Sequence, residues 1–70
     1  MTTVTDHPKL SRDDLELLRL LAGGLSLESV SRRMAISERT VRRRLRALCD
    51  RLGVDTPIEA IVSAVRRGMI

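Results

Sequence analysis

The segment Ser37-Glu38-Arg39-Thr40-Val41-Arg42-Arg43-Arg44-Leu45-Arg46 holds the clearest chemistry in this 70-residue chain. Eight of the thirteen basic residues fall between Arg32 and Arg51, opposed there only by Glu38 and Asp50. That window carries +6, whereas residues 1–31 carry −2 and residues 52–70 are neutral. Arginine presents a planar fork of N–H donors that matches phosphate oxygens and the acceptor edge of guanine. Charge this concentrated on one helix is an electrostatic footprint for nucleic acid. A merely solvated helix face interleaves both signs, and this one hardly does.

Other chemistries find little support. Asp13, Asp14 and Glu16 lie at a helix start with no nucleophile or metal set nearby in sequence, so they read as capping and solvated groups. No enzyme activity is expected. One Cys and one His cannot build a structural zinc site, and a single Cys excludes an intramolecular disulfide. No metal, cofactor or small-molecule site is expected. Cys49 sits at the edge of an apolar stripe and reads as a small core residue, and His7 as an inert tail residue. Phe, Tyr and Trp are absent, which removes the stacking platforms that hold single strands and favours a duplex as the partner. No apolar run approaches the roughly 20 residues of a membrane span, and the start of the chain has no signal-peptide stretch. No membrane contact and a cytoplasmic location are expected.

Something must hold the arginines outward, and the punctuation of the chain predicts four helices with no strands. Residues 1–9 show no periodicity and read as a flexible tail, with one domain over 10–70. Ser11 caps a first helix that runs through Ala22, with Asp13 and Asp14 in its first turn and Gly23-Gly24 after its end. Leu15, Leu18 and Ala22 form one stripe, Leu17 and Leu21 another, so this helix packs on two neighbours. Ser26 caps a second helix over about Leu27–Met34, with Leu27, Val30 and Met34 on one face. Ala35-Ile36 is the turn, and Ser37 caps a third helix over about Glu38–Leu52. There Val41, Leu45, Leu48 and Leu52 step by 4, 3 and 4 along one narrow stripe. Arg39, Arg43, Arg46 and Asp50 lie opposite it, with Arg42 on one flank and Thr40, Arg44 and Arg51 on the other. Thr56-Pro57-Ile58-Glu59 combines a capping box with Pro at the first helical position, starting a fourth helix that runs to about Arg67.

From Leu10 onward, about sixty of the seventy residues, the chain resembles the LuxR/GerE-type four-helix DNA-binding domain. The resemblance is carried by Leu10-Ser11, Glu16 through Ala22, Gly24-Leu25-Ser26, Ile36 through Val41, Leu52-Gly53-Val54, Glu59-Ala60 and Arg67-Gly68. It implies an all-α helix-turn-helix domain whose third helix is the recognition helix in the major groove of double-stranded DNA, acting as a sequence-specific transcriptional regulator. It implies base contacts from Arg42, Arg43 and Arg46, and phosphate contacts from Thr40 and Arg51. The wheel adds Arg39 and Arg44, and the helix start adds Ser37, to the phosphate set. Three departures stand out. The family's usual Arg-Glu pair in the first helix is Asp13-Asp14, which leaves an internal ion pair absent or rewired. Its Lys-Glu in the second helix is Glu28-Ser29, with Ser31 for the usual Ala. Its frequent His is Arg44.

Members of that family commonly form dimers through the fourth helix. Here Ile58, Ile61, Val62, Val65 and Met69 are expected to face the core, leaving Ala60, Ser63, Ala64 and Arg67 as a homodimer face on which small residues at i and i+4 permit close approach. A two-fold dimer would set two recognition helices about 34 Å apart. Two other readings remain open: a sigma-factor region-4-like domain that also contacts RNA polymerase, and a protein-interaction module whose Arg face meets an acidic partner.

Overall fold

The structure is a computed structural model and describes residues 10–70; the expected tail over 1–9, with His7, lies outside them. Four helices follow one another: α1 (Arg12–Ala22), α2 (Leu27–Met34), α3 (Glu38–Leu52) and α4 (Pro57–Arg66). Each begins at a hydroxyl side chain that accepts a hydrogen bond from a backbone N–H two or three residues inside the helix. The four caps are Ser11, Ser26, Ser37 and Thr56. Such a cap satisfies one orphan donor and is worth about 1 kcal/mol. At α4 the box is complete: Thr56 Oγ1 accepts from the Glu59 N–H at 3.2 Å, and Glu59 Oε1 accepts from the Thr56 and Asp55 N–H groups at 3.0 Å each.

The turn between α2 and α3 is tight because α2 ends in a left-handed residue. Ala35 takes φ 58°, its N–H reaches the Arg32 carbonyl, and the Ile36 N–H reaches back to the Ser31 carbonyl at 3.0 Å. Gly53 ends α3 in the same way at φ 71°, with the Val54 N–H on the Cys49 carbonyl at 3.0 Å. This paired closure reverses the chain while satisfying two terminal carbonyls of each helix, Ser31 and Arg32 in α2 and Cys49 and Asp50 in α3. Alanine bears some strain where glycine would not, and its side chain is exposed there.

α1 packs on α2, α3 and α4, while α3 also packs on α2 and α4. The core joins Leu17 and Leu18 of α1, Val30 of α2, and Val41, Leu45, Leu48, Cys49 and Leu52 of α3. Leu17, Leu18, Val30, Val41 and Leu48 are fully buried, each contributing about 1.5–3 kcal/mol by leaving water. The third helix therefore turns its predicted stripe inward, which fixes its other faces outward. Ser31 is buried too, and its hydroxyl donates to the Glu28 carbonyl at 2.8 Å, so the polar group is satisfied within its own helix.

On α4 the structure corrects the sequence. Ala60 and Ala64, expected on an outer dimer face, are 0% exposed, whereas Ile58, Val62 and Val65, expected in the core, are 73%, 43% and 55% exposed. Ile61 and Met69 pack partly against the core as expected. Small side chains do permit close helix approach, but the partners are α1 and α3 of the same chain. Ala60 and Ala64 therefore cannot form an external face. Ala22 is likewise exposed rather than part of the inner stripe of α1. Among the described residues no helix is long and apolar enough to cross a membrane.

Candidate nucleic-acid interface

The Ser37 cap fixes where α3 starts, and with it the place of every arginine. Its Oγ accepts from the Thr40 N–H at 3.1 Å and its hydroxyl donates to Thr40 Oγ1 at 3.0 Å. Since Val41, Leu45, Leu48 and Leu52 point inward, Arg39, Arg42, Arg43 and Arg46 are all exposed on the far side. Arg44 is half-buried on the flank that faces α1.

Ion pairing sorts these arginines into two groups. Arg42 lies 3.6 Å from Glu38 one turn earlier, Arg44 lies 3.5 Å from Asp13, and Arg51 lies 2.8 Å from Asp14. Arg39, Arg43 and Arg46 form no ion pair among the described residues, and they are spaced at i, i+4 and i+7 on the exposed ridge. On α3 this ridge is where cationic charge faces outward with no carboxylate partner among the described residues.

Arg51 is the best-anchored member of the group. Asp14 is buried, and its Oδ2 accepts from both the Ser11 N–H at 3.1 Å and Arg51 Nη1 at 2.8 Å. One carboxylate thus closes the α1 capping box and ties the last turn of α3 to the first turn of α1. The guanidinium has five donors, so this bond orients it while leaving others for a ligand. At the Asp13-Asp14 departure both acids thus meet an arginine of α3. The link from Asp14 to Arg51 was not legible in sequence because it joins positions 37 residues apart. The only local signal was an acid three residues after a capping serine.

Cys49 is buried at the edge of the core, as expected. Burial raises the pKa of its thiol, and the carboxylates of Asp50, Glu59 and Asp55 push in the same direction. It is therefore a neutral packing group at ordinary pH. On α4, Ser63 and Arg67 are half-buried beside the exposed Val62 and Ile58, and with Val54, Glu59 and Arg66 they line a shallow groove of about 370 Å³.

Comparison with known proteins bears on the family and the fold. The chain is 29% identical over 65 residues to the transcriptional regulatory protein YdfI of Bacillus subtilis (strain 168), covering 93% of this chain and 30% of that protein. Its fold matches the crystal structure of response regulator ChrA of a heme-sensing two-component system with a TM-score of 0.85 and 33% identity, over 94% of this chain and 33% of that one. The chain thus spans about a third of the length of either relative. Residues 8–64 match the family described as bacterial regulatory proteins, luxR family. With four helices and the helix-turn-helix arrangement of α2 and α3, the chain belongs to the luxR family of bacterial regulatory proteins.

Proposed function

We propose that this domain binds double-stranded DNA sequence-specifically as the output unit of a transcriptional regulator, with α3 as the recognition helix in the major groove. The observation that carries this reading is the exposed ridge of Arg39, Arg43 and Arg46, without ion-pair partners among the described residues, on a helix whose opposite face is locked in the core. A groove roughly 12 Å wide admits such a helix, and Arg43 and Arg46, with Arg42 beside them, are the side chains assigned to guanine O6 and N7. Phosphates are assigned to Ser37 and Thr40 at the helix start, Arg39 on the ridge, and Arg44 and Arg51 on the α1 flank. With the Ser37 hydroxyl donating to Thr40 Oγ1, the Thr40 hydroxyl hydrogen is available to an external acceptor.

A homodimer through α4 is part of the proposal, with its face revised. Ile58, Val62 and Val65 form an exposed apolar stripe, and Ser63 and Arg67 border it. An apolar stripe on an otherwise charged small domain is the kind of surface that a second copy covers.

A salt titration of duplex binding by fluorescence anisotropy tests the reading. Each neutralised phosphate contributes about −0.9 to the slope of log K against log salt. The three arginines assigned to phosphate predict a slope of about −2.7 for one protomer and about −5 for two. Binding that is weak and indifferent to salt would contradict it.

A further inference from the structure

The α1 flank of α3 carries an arrangement that DNA binding alone does not explain. Ser11, Asp13, Asp14, Arg44, Ala47 and Arg51 line a small cleft of about 280 Å³ between the start of α1 and the outer side of α3. Two guanidinium groups meet there beside a helix N-terminus, a combination that attracts phosphate. Yet each guanidinium already faces a carboxylate of this chain. The two acids differ in kind. Asp14 is buried and committed to the Ser11 N–H and to Arg51. Asp13 contributes no cap, its side chain is 70% exposed, and its ion-pair partner among the described residues is Arg44, itself 39% exposed, at 3.5 Å.

We propose that Asp13 is an internal competitor of DNA phosphate for Arg44, and so sets how strongly the domain holds DNA of any sequence. The inference rests on the DNA-binding reading above and deepens it. A phosphate oxygen and the Asp13 carboxylate need the same guanidinium donors, so binding through Arg44 must first break the Asp13 contact. After it breaks, the aspartate remains as a negative charge near the backbone. Phosphate contacts carry no sequence information, so this competition lowers affinity for operator and random DNA alike. It leaves the base-reading ridge untouched, because Arg43 and Arg46 lie on another face. The benefit is faster release from non-specific DNA, where phosphate contacts supply essentially all the affinity.

The test is a four-protein cycle of wild type, Asp13→Asn, Arg44→Ala and the double variant, titrated with random-sequence duplex at low salt. Glu16→Gln, which removes a charge from an exposed position of the same helix, measures the effect of net charge alone. Both Asp13 and Arg44 are surface groups, and thermal melts confirm that each variant is folded. Asp13→Asn is expected to tighten binding roughly two- to fivefold, the range of an exposed ion pair. In the Arg44→Ala background the same substitution should do no more than Glu16→Gln does in wild type. The gain should fade toward high salt, where such pairs are screened. No gain, or an equal gain with and without Arg44, overturns the inference while leaving the DNA-binding reading in place. Absence of salt-sensitive duplex binding by the wild type overturns both.

Discussion

Replacing Ala64 with glutamate is expected to destabilise the domain severely, whereas replacing Val62 with glutamate is expected to leave its stability nearly unchanged. Two residues apart on one helix, these positions have opposite environments: the Ala64 side chain is fully buried and Val62 is substantially exposed. A carboxylate forced into the fully buried apolar cluster that Ala64 joins loses its hydration, a cost on the order of 4 kcal/mol or more. A domain of this length holds on the order of 3–9 kcal/mol in total. Circular dichroism should therefore show Ala64→Glu unfolded at room temperature or melting at least about 15–30 °C below wild type. Val62→Glu should melt within a few degrees of wild type. Sedimentation on a two-fold symmetric duplex completes the comparison. Wild type should load as two protomers, and Val62→Glu should lose that second protomer by placing two carboxylates in the apolar contact. A normal melt for Ala64→Glu would contradict the packing of α4, and a Val62→Glu variant that still loads in pairs would contradict the proposed dimer face.

The second large effect concerns the exposed ridge. Arg43→Ala and Arg46→Ala are each expected to weaken binding to the preferred sequence by about 1–3 kcal/mol, roughly 5- to 150-fold. Each should also relax preference at one base pair. Neither side chain has an ion-pair partner among the described residues, so binding to a guanine edge breaks nothing within the protein. Arg42 is different, because its contact with Glu38 must be rearranged, although an exposed i,i+4 pair is worth only about 0.3–0.5 kcal/mol. Competition titrations with operator and random duplex give the readout. If the arginine variants weaken both duplexes by the same factor, they act through phosphates and direct reading by this ridge is wrong.

Helix positions and helix faces were unequally legible in the sequence. Helix ends came through almost to the residue, since Ser11, Ser26, Ser37 and Thr56 are local signals whose hydrogen bonds close within one turn. The fourth helix ends at Arg66, one residue earlier than expected, with Arg67 as its cap. The face of α3 was legible because its four apolar residues leave only one way to bury them. The face of α4 was not. Both of its sides are apolar enough to be buried, one by bulk and the other by smallness, and hydrophobic pattern alone favours bulk. Close packing against α1 and α3 favours Ala60 and Ala64, and that preference is set by the spacing of three helices rather than by anything within α4. The acidic partners of Arg44 and Arg51 were hidden for a related reason: Asp13 and Asp14 are distant in sequence, and only the packing of α1 on α3 brings them close.

Sequence-specific reading of DNA by α3 is tested by selection from a pool of random duplex DNA at physiological salt, followed by sequencing of the bound fraction. The expected result is enrichment of a two-fold symmetric motif whose half-sites lie about one helical turn apart, with guanines at the positions that Arg43→Ala and Arg46→Ala relax. Salt-sensitive retention of DNA with no enriched sequence would contradict it, because the ridge would then act only as a cationic surface.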